Sequence, residues 1–99
     1  MEKYNVYKSR FGSGFLLDVQ TDLLSGLNTR VVIPLMLASD APKAAKYLNP
    51  TFEIDGVQLV MMTQFIASIP DSELKGSIMN LKQNHHEISS ALDMLFSGF

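Results

Sequence analysis

The sequence predicts an α+β domain, mainly β: short antiparallel strands joined by tight turns, then one long C-terminal helix. Three observations carry this. Asp55-Gly56 separates two strand-like runs, and such a pair is a strong hairpin signal because Gly supplies positive φ cheaply. Thr29-Arg30-Val31-Val32-Ile33-Pro34-Leu35 is β-branched and almost wholly apolar, as expected of a strand covered on both faces. Leu81, Ile88, Leu92, Leu95 and Phe99 fall at spacings that gather on one face of a helix.

Taken in order, Tyr4-Asn5-Val6-Tyr7-Lys8 alternates large and polar residues and predicts a half-buried strand. Residues 9–14, with Gly12-Ser13-Gly14, predict a flexible turn, and Phe15-Leu16-Leu17-Asp18-Val19-Gln20 returns as the second strand of a hairpin. Leu23-Leu24 then forms an apolar pair in a connecting segment, expected to fold back onto the core in preference to standing exposed as an anchor for a partner, and Ser25-Gly26-Leu27-Asn28 a turn. Pro34 removes a ladder donor and is expected to place the end of its strand at an edge or bulge. Residues 36–48 are alanine-rich and predict one or two helical turns capped by Ser39 or Asp40. Thr51-Phe52-Glu53-Ile54 and Val57-Gln58-Leu59-Val60-Met61-Met62 make the second hairpin. Phe65-Ile66-Ala67-Ser68-Ile69 is a further strand closed by Pro70, and residues 71–75 a helical turn. Asn80 followed three residues later by Gln83 fits a capping box, which predicts the helix over 81–96 with Gly98 past its end.

Composition narrows the function. A chain of 99 residues has room for one core, so a single domain over 1–99 is expected. The eight Lys and Arg are scattered and the net charge is −2, which argues against direct nucleic-acid binding and against a membrane-surface role. The absence of cysteine excludes disulfides, thiol catalysis and zinc–thiolate sites, and with the lack of a signal sequence fits the cytoplasm. No apolar run approaches the length of about 20 residues that spans a bilayer.

Little in the chain suggests catalysis. Asp18 is a charge inside an apolar run. It is read here as a carboxylate satisfied by hydrogen bonds, with Arg30 on a neighbouring strand as partner, in preference to a catalytic acid or base. His85-His86-Glu87 lacks the i, i+4 histidine spacing of a helical metal site and is read as a solvated polar face, so no metal or other cofactor is expected. The finish, Phe96-Ser97-Gly98-Phe99, is the anomaly. Aromatic surface at a terminus has to be buried in its own domain, in a second copy or in a partner. Residues alone therefore give a small β-rich binding module.

Leu17-Asp18-Val19-Gln20-Thr21-Asp22-Leu23-Leu24 and Thr29-Arg30-Val31-Val32-Ile33-Pro34-Leu35 resemble the CcdB toxins of bacterial toxin–antitoxin modules. The resemblance continues through Pro50-Thr51-Phe52-Glu53-Ile54, Met61-Met62-Thr63-Gln64, Ala67-Ser68-Ile69-Pro70 and Leu95-Phe96-Ser97-Gly98-Phe99. It implies an SH3-like twisted antiparallel sheet with a long C-terminal helix, in a symmetric homodimer. It also implies a non-enzymatic toxin of a type II module, of the kind that serves plasmid maintenance. Such a toxin binds the A subunit of DNA gyrase, traps the cleaved gyrase–DNA complex and is neutralised by a CcdA-type antitoxin. Carried over by the resemblance, the gyrase-binding positions are Leu23, Leu24, Asp93, Phe96, Ser97, Gly98 and Phe99. In the best-known family pattern Ser97 is a tryptophan, Asp93 an asparagine and Phe99 an isoleucine. The MazF-like endoribonuclease toxins share the architecture and give an alternative, for which Arg30 with Asp18 or Asp22 is the available catalytic combination. A toxin homologue with weakened gyrase poisoning is a further one.

Overall fold

The computed structural model describes residues 2–10 and 12–99; Met1, and Phe11 within the turn expected over 9–14, lie outside them. The described residues form β1 (Asn5–Lys8), β2 (Phe15–Asp18), β3 (Thr29–Leu37), β4 (Thr51–Ile54), β5 (Val57–Met61), β6 (Ala67–Pro70), β7 (Met79–Asn80) and one helix, α1 (His85–Ser97). The seven strands make one curled antiparallel sheet in the order β4-β5-β3-β2-β1-β7, with β6 also paired to β3. This is the mainly β, α+β architecture that the turn spacing predicts.

The sheet is organised around β3. One edge pairs along β2, from Phe15↔Leu35 to Asp18↔Val32. The other is shared: Thr29 to Val32 pair with β6, and Leu35 to Leu37 with β5. Pro34 sits between these two partners, in the middle of the strand and not at its end as expected. Its carbonyl accepts from Met62 N–H at 2.9 Å, so its backbone faces the gap between β5 and β6, where a missing N–H leaves no ladder bond broken. Alternation sends neighbouring residues of β3 to opposite faces. Ile33 joins the main core with Val6, Leu17, Leu35, Leu59, Met61, Ile88 and Ala91, whereas Val32 packs with Tyr7 and Leu74 on the other side. Both faces of the strand are covered, as its continuous apolar run requires.

The hairpins follow their turn chemistry. Asp55 at φ +53 and Gly56 at φ +78 join β4 to β5 with both central residues left-handed, the geometry that matches strand twist. Between β1 and β2 the Ser9 N–H donates to the Gly14 carbonyl at 3.0 Å. Three further expectations fail. The strand expected over 65–69 starts two residues later and runs through Pro70, because Thr63–Phe65 form a 3₁₀ turn. The alanine-rich segment forms no helix: Leu48 and Asn49 N–H groups turn back to the Ala45 carbonyl, and the buried Asn49 side chain takes the Ala45 N–H. Residues 42–47 are exposed, so they have no apolar face whose burial would offset the cost of helix nucleation. The helix also begins later than residue 81. Asn80 Oδ1 does accept from a main-chain N–H, that of Lys82 at 2.8 Å, but this leads into a single 3₁₀ turn, Lys82–Asn84, that precedes α1 and has Leu81 at its cap position. Strand β7, which pairs Asn5↔Asn80 and Val6↔Met79, was not expected at all.

Gly14 packs directly against β3: a Cβ placed there would lie 2.3 Å from the Leu35 carbonyl oxygen, whereas one at Gly12 would meet nothing. Gly14→Ala is therefore expected to cost about 1–3 kcal/mol in urea denaturation, and Gly12→Ala less than about 0.5 kcal/mol.

Candidate functional site

The helix end is held by its own cap. Gly98, at φ +82, donates its N–H to the carbonyls of Asp93 (3.2 Å) and Met94 (3.1 Å), closing the last turn as the sequence predicts. Ile88 and Ala91 bury the inner face of α1, and Leu92 and Leu95 are half-buried. Asp93, Phe96 and Ser97 are spaced three and four residues apart and share an exposed face. Phe96 is 72 % and Phe99 91 % exposed. Phe99 thus does not continue the buried stripe of Ile88 and Leu92, because the left-handed Gly98 ends the helical period before it. Beside this end, cavities of about 440 and 400 Å³ lie between α1 and residues 44–50. Tyr47 and Ser90 line both, and Phe99 lines the second.

Leu23 and Leu24 lie on a different element, the 3₁₀ turn Asp22–Leu24, which has no buried residue. Leu23 is 92 % exposed, and Leu24 and the unexpected Leu27 about half, so the pair does not fold back onto the core as expected. Core packing does not hold this turn; polar groups beneath it do. Thr21 Oγ1 accepts from Leu23 N–H at 3.3 Å, and Gln20 Nε2 donates to the Leu24 carbonyl at 3.3 Å. Asp22 Oδ1 accepts from the Lys3 N–H at 2.9 Å.

These bonds rest on a buried ion pair. Continuing the β2–β3 register places Arg30 opposite Gln20, so Asp18 and Arg30 are diagonal neighbours on one sheet face. Arg30 grips Asp18 with two hydrogen bonds, Nε to Oδ2 at 2.8 Å and Nη2 to Oδ1 at 2.9 Å, and also reaches the Gln20 carbonyl at 3.2 Å. Arg30 is 1 % exposed and Asp18 fully buried. Burial by itself pulls the guanidinium pKa down. The hydrogen bonds and charge of Asp18, and then of Asp22, outweigh it, so the net shift is upward and Arg30 stays cationic at any working pH. This is the satisfied carboxylate that the sequence suggests. It does not serve the ribonuclease reading, because a guanidinium this deeply buried does not reach a phosphodiester.

Elsewhere, His85 is not merely solvated, for its Nδ1 is hydrogen-bonded to the hydroxyl of Tyr4, whose ring meets it edge-on at 5.5 Å. Its position directly after the Asn80 turn gave no hint of this partner 81 residues away. Among the described residues no group of three or more His, Asp or Glu is placed to hold a metal ion, and no helix is long and apolar enough to cross a membrane.

A rigid sheet that presents a bare apolar turn and an aromatic helix end, with its strongest polar pair sealed inside, has the features of a protein-binding module. A family model described as CcdB protein matches residues 3–98. The chain belongs to the CcdB family, which places it among the toxins of type II toxin–antitoxin modules.

The buried pair sets a test. Asp18→Asn leaves the Arg30 charge buried with a weakened partner and is expected to lower stability by about 3–5 kcal/mol. Asp22→Asn, at a half-exposed carboxylate 3.5 Å from Arg30, should cost under about 1 kcal/mol. Chemical denaturation of the two variants distinguishes these outcomes.

Proposed function

We propose that this chain is a gyrase poison: a cytoplasmic homodimer that binds the DNA gyrase A subunit, traps the cleaved gyrase–DNA complex and is neutralised by a CcdA-type antitoxin. The single observation that carries this reading is the exposure of Phe96 in the last turn of α1 and of Phe99 just beyond its Gly98 cap. Large exposed aromatics supply the kind of anchor that dominates protein–protein binding energy. Leu23 and Leu24 add a second apolar contact. Family membership over residues 3–98 supports the choice of target, and a two-fold toxin surface suits a two-fold gyrase gap.

Asp93 takes part in this surface through its charge. It lies near the C-terminal end of α1, whose last turn carries no basic residue. A carboxylate at the negative end of a helix dipole is unfavourable in the free protein. In the complex it pairs with an arginine of gyrase, in place of the stacking that a tryptophan at position 97 would give. The burial of Arg30 counts against the ribonuclease alternative, since it removes the only cation offered for that chemistry.

Two outcomes follow. Removal of residues 96–99 should abolish growth inhibition in cells while the purified protein keeps its cooperative unfolding; undiminished toxicity would overturn the proposal. Asp93→Asn should raise the urea midpoint of the free protein yet weaken binding to the gyrase A dimerisation fragment, with a smaller loss at high salt. Undiminished binding would remove Asp93 from the contact surface.

A further inference from the structure

We infer that Gln20 and Thr21 are positioning residues that preorganise Leu23 and Leu24 as a rigid apolar knob, using the buried Asp18–Arg30 pair as its base; the inference builds on the partner-binding role proposed above. The turn Asp22–Leu24 has no buried residue, and all of residues 21–28 are exposed. A segment so poor in core contacts ordinarily belongs to the low-stability, mobile end of a structure. Here every residue from Gln20 to Leu24 is nevertheless tied. Gln20 bridges in two directions: Oε1 accepts from Val31 N–H on β3 at 3.0 Å, and Nε2 donates to the Leu24 carbonyl. Its main-chain carbonyl accepts from Arg30, and its N–H donates to Asp18 Oδ1 at 3.0 Å. Thr21 caps Leu23, and Asp22 is held by Lys3 N–H and, at 3.5 Å, by Arg30.

Two features separate this arrangement from ordinary structural support. A buried ion pair is seldom more stabilising than apolar residues of similar volume. Arg30 Nη1, moreover, finds no hydrogen-bond partner among the described residues, so the protein groups described around it leave part of the guanidinium's bonding capacity unused. What the network does deliver is geometry at one place: its hydrogen bonds converge on the turn that carries the most exposed leucine of the chain. Holding that turn before binding removes the ordering cost that a flexible loop would charge against affinity.

The test uses the full chain with Thr21→Val, which keeps shape but loses the acceptor, Thr21→Ser, which keeps it, and Gln20→Glu, which keeps the Val31 bond but loses the donor to Leu24. Amide hydrogen exchange, unfolding midpoint and affinity for the gyrase A dimerisation fragment are measured for each. Thr21→Val and Gln20→Glu should speed exchange at residues 23–27 and weaken binding, each roughly tenfold, with exchange at Ile33 and Leu35 unchanged and Thr21→Ser close to the parent. Unchanged exchange at 23–27, equal acceleration throughout the sheet, or faster local exchange with undiminished affinity would each overturn the inference. If the parent chain and its Leu23→Ala variant both fail to bind the fragment, the gyrase reading falls, and the exchange pattern alone decides whether these residues hold the turn.

Discussion

The bidentate contact of Arg30 with Asp18 is the constraint on which the rest of the structure depends. Two opposite charges lie side by side on one face of the sheet, on adjoining strands, with almost no access to water. Neither tolerates loss of the other, because an uncompensated charge would remain inside the fold. The pair therefore fixes the register of β2 against β3 at the point where β2 ends. From there the chain leaves the sheet, and the same guanidinium, through the Gln20 carbonyl and Asp22, sets the direction in which it leaves. An element made for solvent exposure is in this way built on a buried ion pair.

The rest of the sheet follows from β3, which serves β2 on one edge and both β5 and β6 on the other. Its two covered faces leave the helix one place to dock, over Ile33, Leu35 and Met61, through Ile88 and Ala91. Docking consumes the inner face of α1 and leaves Asp93, Phe96 and Ser97 outside it. Among the apolar side chains left exposed, Phe96, Phe99 and Leu23 are the most exposed, the aromatics at one place and Leu23 with Leu24 at another. Large exposed apolar groups on ordered elements mark interaction sites, and this supports the contact-based action proposed above.

Much of this was legible because the signals are local. Asp55-Gly56 states its own turn, β3 states its burial by its β-branched run, and Gly98 states the helix end. The Asp18–Arg30 partnership was legible for a different reason: a lone carboxylate in an apolar run requires a cation, and Arg30 was the one offered on a neighbouring strand. Features set by distant parts of the chain were not legible. Two residues, Met79 and Asn80, carry no strand pattern, and only β1 gives them a ladder to join. Pro34 reads as a strand end until β5 and β6 are seen to part opposite it. The 44–48 segment has helical composition but no face to bury, so Asn49 decides its shape. As for the candidate site, the sequence alone marks the aromatic end as anomalous and Leu23-Leu24 as a displaced apolar pair. The polar scaffold beneath Leu23 shows only when the register brings Gln20 opposite Arg30.

The central claim is that two separate exposed elements, the Leu23–Leu24 turn and the end of α1, meet one partner together. Hydrogen-exchange footprinting of the purified protein in the presence and absence of the gyrase A dimerisation fragment tests it directly. The account predicts slower exchange on binding at residues 22–25 and 93–99 and little change along β3. Protection confined to other surfaces, or no protection at saturating fragment, would contradict it.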